Sequence, residues 1–230
     1  MIILAVHSTT PSLAVALAED ARLLGDRELP PAREHLENLA PMIGDLLRDV
    51  GIDLAAVDGF AVARGPGSFS GIRVGMATVK GMALVLGKPL IGVSSLEVLA
   101  CQTLGEDQTG VSLIDARRSE VYAAVYRNSS ARLSLTDGPR LIHIDRIAET
   151  FEQAGPGAVL CGDPDLCRAL ARDRSVTIGS AEIPLAAACA RIAWNRYQDG
   201  AESELHTLAP LYIRPSDAED KRARQSPRVQ

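Results

Sequence analysis

Between residues 59 and 86 the chain passes from a short apolar run, Gly59-Phe60-Ala61-Val62-Ala63, through Arg64-Gly65-Pro66-Gly67-Ser68-Phe69-Ser70-Gly71 into an apolar stretch of helical length. A buried strand, a backbone-led loop and a helix are expected in that order. Such a loop delivers backbone N–H groups to a helix N-terminus, the usual geometry for gripping a phosphate or another anion. The same glycines equally suit a turn that lets strand and helix pack closely, and the residues leave both readings open. Gly65, Gly67 and Gly71 are spaced neither as a Gly-Lys-Ser/Thr phosphate loop nor as a dinucleotide fingerprint. Ser68 and Ser70 flank Phe69 at the centre of Gly-Ser-Phe-Ser-Gly, so no serine sits where a nucleophile elbow requires it.

Other candidate groups are isolated. His7 ends the first apolar run without a nucleophile signature beside it, which favours a hydrogen-bonded structural histidine. His35 has no histidine or cysteine three or four residues on and reads as a helix-start surface residue. Asp115, Arg117 and Glu120 could form an ion-pair cluster between two halves of the chain, surface pairing being the commoner outcome. Cys101, Cys161, Cys167 and Cys189 contain no Cys-x-x-Cys pair and are expected as reduced core residues, consistent with a cytoplasmic protein. The opening Met1 to His7 lacks a basic flank and reads as a strand, not a signal peptide, and apolar runs of membrane length are interrupted by charge or glycine. A net charge of -5 argues against this chain gripping nucleic acid by itself.

The elements that must position these groups follow from periodicity. Runs at 2–6, 13–18 and 23–29 form a meander; Leu36, Leu39, Ile43, Leu46, Leu47 and Val50 then recur at helical spacing, with Pro41 expected to kink or split that helix. A strand at 57–63, a helix at 71–86, a strand at 89–93 and a helix from Ser95 to about Leu104 complete the first half. The second half repeats the order: strands at 111–114, 121–126 and 133–135, a helix near 145–153, a strand at 158–161, a helix at 164–171, a short strand near Val176 and a helix at 184–196. Two copies of a meander followed by alternating helices and strands describe a duplicated α/β fold, actin-like and related to sugar kinases and ribonuclease H. The expected units are residues 1–104, 105–214 and a mobile polar tail at 215–230.

Four segments carry a family resemblance: Arg64 to Gly75, Ala77 to Gly81, Gly92 to Glu97, and Asp115 to Tyr122. Together they closely resemble the TsaB (YeaZ) family, and the resemblance runs from residue 2 to about Arg214. It implies a cytoplasmic, actin-like, non-catalytic subunit that pairs with its catalytic paralogue TsaD and the ATPase TsaE. The complex places a threonylcarbamoyl group on the tRNA adenosine beside the anticodon, with tRNA met only through the complex and no membrane involved.

Set against the catalytic relatives, the resemblance implies an altered site, and loss of the chemistry is expected. An acidic residue ends the first strand there, and mostly in this family too; here it is His7, a poor ligand for a hard cation. The paralogue's metal-binding histidine pair corresponds to Ser95 and Leu99, Asp115-Ala116-Arg117-Arg118 fills the phosphate-facing turn with cations, and Gly162-Asp163-Pro164 replaces an adenosine-binding glycine pair. No catalytic, cofactor-binding or metal-ligating residue is therefore assigned. Gly65, Pro66, Gly67 and Gly71 are expected to be structural. The partner surface is expected on two helices, through Leu36, Leu39, Ile43, Ile72, Gly75, Met76, Val79, Met82 and Ala83, with self-dimerisation through the same patch as an alternative. A charge at Met76 would then break pairing and spare the fold. The rival readings are an actin-like kinase or ATPase, retained by the glycine loop, and, more remotely, a peptidase.

Overall fold

A computed structural model describes residues 1–30, 35–171 and 176–214, the side chains of residues 35 and 36 lying outside that description. The expected tail at 215–230, Leu36 as a contact and the surface placement of the His35 side chain thus fall outside the described residues. The first lobe comprises β1 (Ile2–His7), β2 (Leu13–Glu19), β3 (Arg22–Leu29), α1 (Leu39–Val50), β4 (Gly59–Ala63), α2 (Phe69–Leu86), β5 (Leu90–Val93) and α3 (Ser95–Thr103). The second comprises β6 (Thr109–Asp115), β7 (Glu120–Ser129), β8 (Arg132–His143), α4 (Ile147–Ala154), β9 (Val159–Gly162), α5 (Pro164–Ala171), β10 (Thr177–Ile178) and α6 (Leu185–Gln198). The sheets order as β3-β2-β1-β4-β5 and β8-β7-β6-β9-β10. In each, the meander is antiparallel and the later strands join in parallel, the duplicated actin-like architecture.

Alternation along β1 sets the layers. Leu4 and Val6 point into a core with α1 and α2, while Ile3 and Ala5 point to the opposite face. That second face carries Ala14, Ala16 and Ala61 and receives the alanine-rich helix α6, whose Ala186, Ala188, Ala190 and Ala193 are fully buried. Small residues on both surfaces permit a close approach. The helices cross between lobes: α6 packs on β1, β2, β4 and β5, whereas α3 packs on β6 to β9, so one continuous core joins the halves.

Three expectations change. Pro41 does not split α1, because it lies in the helix's first turn, where no intrahelical N–H partner is lost; a 3₁₀ turn at His35–Asn38 precedes the helix instead. β8 extends over twelve residues where only 133–135 read as strand, because Gly138 and Pro139 lie within an edge strand with shifted register, a place where such residues are tolerated. The second unit does not keep its end to 214. Residues 203–212 return to the first lobe, where Glu204 N–H donates to Leu90 O, Gly92 N–H to the Glu204 carboxylate, and Leu208 joins the α1/α2 core.

A further correction concerns the expected partner surface. Leu39, Ile43, Ile72, Met76, Val79 and Ala83 are at most 5% exposed and pack against the chain's own sheet. Gly75 is likewise buried, with Ser8 Oγ 2.2 Å from where its Cβ would stand, and Met82 is half-buried against the same core. These positions satisfy helical spacing because they form the inward face of α2, and the same periodicity cannot say which side is inward. By length and composition α2 could also cross a membrane, although a third of it is buried on the sheet.

Candidate functional site

Because β1, β4 and β5 run parallel, their C-terminal ends bring together residues 7–10, the loop after Ala63 and the start of α3. Gly67 and Gly71 lie directly on the backbone of that first turn. A Cβ on Gly67 would stand 2.1 Å from Thr9 O, and one on Gly71 1.8 Å from Ser8 O. Gly65 and Gly67 adopt φ of +106° and +150°, angles that disfavour any side chain. Three of the loop's hydrogen bonds stay within the chain: Ser68 N–H donates to Thr9 O (2.7 Å), Ser8 Oγ–H donates to Gly71 O (2.8 Å), and Gly71 N–H donates to Ser68 Oγ (3.2 Å). Of the two readings left open by the residues, this geometry favours close packing, since two donors that could grip an anion serve the chain itself. Ser68 is the cap of α2.

His7 is completely buried, and desolvation lowers its pKa to about 4, so the ring is neutral near pH 7. Its Nε2 lies 3.4 Å from Thr9 Oγ1, which in turn meets Ser95 Oγ at 2.6 Å, while Nδ1 has no partner among the described residues. Ser95 is thereby engaged, and Leu99 belongs to the inter-lobe core. Among the described residues no three His, Cys, Asp or Glu side chains are arranged to hold a metal ion.

A pH dependence follows. Between pH 6.5, the unperturbed value, and about 4, the unfolded chain binds a proton at His7 that the folded chain refuses. Stability from this group is therefore complete above pH 6.5 and falls as pH drops through that window, by about 3 kcal/mol in all. Urea denaturation of His7→Gln is expected to show a correspondingly flatter profile from pH 6.5 to 4. Superimposable profiles for both proteins would refute it.

The second lobe contributes the β6–β7 turn, where Arg117, Arg118 and Ser119 all adopt positive φ. The expected Asp115–Arg117–Glu120 ion-pair cluster is not what forms. Asp115 accepts the backbone N–H of Arg117 (2.7 Å), and Glu120 pairs with Arg214 instead. Arg214 also donates to Ala116 O (2.6 Å), and Leu211 N–H donates to Arg64 O (2.8 Å). Tyr212 stacks on Phe69 with centroids 4.6 Å apart and accepts from Arg73 Nε at 3.2 Å, while the Arg73 guanidinium covers the Phe69 ring. The segment 211–214 is thus a strap joining the glycine loop of one lobe to the strand-end turn of the other. Sequence reasoning missed it because its side chains show no periodicity and their partners lie about 100 or more residues away.

On the outer face of α2, Ala77, Gly81, Leu84 and Val85 are exposed, Leu84 at 62% and Val85 at 84%. Val74, Thr78 and Met82 are half-buried beside them. A Cβ at Gly81 would meet nothing within 4 Å among the described residues.

Relatives agree with this architecture along its length. The family model for TsaD, tRNA N6-adenosine threonylcarbamoyltransferase, matches residues 30–161. The tRNA threonylcarbamoyladenosine biosynthesis protein TsaB of Escherichia coli is 32% identical over 225 residues, 93% of this chain and 95% of that one. A crystal structure from Pseudomonas aeruginosa, of a protein described as similar to peptidase YeaZ, superimposes with TM-score 0.80 at 29% identity, covering 93% of this chain and 99% of its own. The activator of the 2-hydroxyisocaproyl-CoA dehydratase from Clostridium difficile shares the fold alone, with TM-score 0.51 at 9% identity and coverage of 87% and 97%. The chain belongs to the TsaB family of tRNA threonylcarbamoyladenosine biosynthesis proteins.

Proposed function

We propose that this chain is a non-catalytic, cytoplasmic scaffold subunit in tRNA threonylcarbamoyladenosine biosynthesis, pairing through the outer face of α2 with the catalytic paralogue TsaD. The ATPase TsaE and tRNA join that pair. The observation that carries the reading is an apolar helix face, the small Ala77 and Gly81 beside the exposed Leu84 and Val85, left uncovered by the described residues of the chain's own core. Small residues permit a second helix to approach closely, and an uncovered apolar face is stabilised by burial against a partner. A lack of chemistry fits the neutral, enclosed His7, the internally bonded glycine loop and the strap across the strand ends. The peptidase reading needs a nucleophile with a base beside it, and the actin-like ATPase reading a cation-binding carboxylate at the end of β1, where His7 stands. Ser68 caps a helix, and Ser95 is fully buried.

Gly81→Glu and Ala77→Glu place charge on this face without touching the core. Each is expected to weaken pairing with TsaD by about 3 kcal/mol, roughly 100-fold in Kd, with native circular dichroism. Light scattering of the chain alone reads the self-dimer through the same patch. Undiminished co-elution of the double variant with TsaD at low micromolar concentration would remove α2 from the interface.

A further inference from the structure

Away from the strand ends, a cavity of about 90 Å³ lies where α3, α6 and the β7–β8 hairpin meet. Three arginines line it, Arg132, Arg191 and Arg196, against two carboxylates, Glu97 and Asp199. Two of the arginines are neutralised: Arg196 holds Glu97 at 2.5 Å, and Arg132 pairs with Asp199. Arg191 has no carboxylate partner among the described residues. Its Nη2 donates to Cys101 O (2.6 Å) and lies 3.0 Å from Cys101 Sγ, and Nε lies 3.2 Å from the same sulfur. Nη1 makes no hydrogen bond among the described residues, and the half-buried guanidinium carries the one unbalanced formal charge around the cavity.

The volume corresponds to roughly three waters, which is also the scale of one small oxyanion. A guanidinium held by its Nε edge on a neighbouring helix is already oriented, so little freedom is lost when its remaining N–H groups bind an oxyanion. We infer that this cavity, where α3 of the first lobe meets α6 of the second, binds a small oxyanion, phosphate or carboxylate, on Arg191. Cys101 meets α6 at two points, since its thiol also faces Ala188 O at 3.7 Å. An anion there reinforces the packing that joins the lobes, and its binding raises the melting temperature by mass action.

The experiment is titration of the full chain with inorganic phosphate, and separately with acetate, at ionic strength held constant with chloride. The expected result is a saturable one-to-one isotherm and a rising melting temperature for at least one of them; which anion binds names the class. Arg191→Met is expected to weaken binding by about tenfold or more, and Arg191→Lys by less, because a point charge replaces the fork. Asn195→Asp, which supplies the cavity with its own carboxylate, is a second variant expected to abolish the response. Absence of saturable binding of either anion by the unmodified chain, or equal binding by the unmodified chain and both the Met and Asp variants, overturns the inference. None of these residues lies on the outer face of α2, so the outcome is independent of pairing with TsaD.

Discussion

Met76→Glu is expected to unfold the first lobe, not to leave a folded chain without its partner. Met76 is 5% exposed and sits on the inward face of α2 with Ile72, Val79 and Ala83, against Leu4 and Val6 of β1 and Phe60 and Val62 of β4. Removing a buried methionine from such a core costs about 2–5 kcal/mol, and an unpaired carboxylate in its place adds several more. The sum rivals the whole stability of an ordinary domain, about 5–15 kcal/mol. Circular dichroism and urea denaturation check it: loss of the cooperative transition, or a midpoint displaced by most of its range, is expected. A native melting profile together with lost pairing would return Met76 to the partner surface. The contrast with Gly81→Glu, two residues past Val79 yet facing open space, separates core from interface on a single helix.

Gly71→Ala and Gly81→Ala are expected to have opposite signs, although both add one methyl group to α2. A Cβ at Gly71 would stand 1.8 Å from Ser8 O and 3.3 Å from Ser68 Cβ, so it collides with backbone that cannot turn aside. Relieving the clash must part α2 from the end of β1 and break the bond from Ser8 Oγ to Gly71 O. Overpacking of this kind costs about 3 kcal/mol or more where backbone is the obstacle. At Gly81 no described residue lies within 4 Å of the added methyl, and replacing glycine by alanine in a helix stabilises by up to about 1 kcal/mol. Equilibrium urea denaturation measures both. If Gly71→Ala were neutral, the loop would yield more readily than its packing indicates.

Much of this fold can be read from local pattern. Alternating runs such as Ile2 to Val6 and Leu13 to Ala18, and helical spacing at Leu39, Ile43 and Leu46, place strands and helices because burial on one face imposes the period of the element on its residues. The two halves share no visible sequence identity, yet the repeated order of elements was enough to predict the duplicated architecture that the paired sheets display. The glycine loop could be located but not interpreted: Gly67 and Gly71 announce a close approach without saying whether an anion or Thr9 and Ser8 will be approached. Periodicity likewise found both apolar sides of α2 and could not assign them, since inward and outward depend on where the sheet lies. Tertiary structure alone decided that Ile72, Met76 and Val79 face the core while Ala77, Gly81 and Val85 face outward. It alone brought Arg214 to Glu120, Tyr212 to Phe69 and Arg191 to Cys101. Those contacts join residues about 90 or more positions apart in the chain, and a local pattern records the burial of a side chain but not the identity of a distant neighbour.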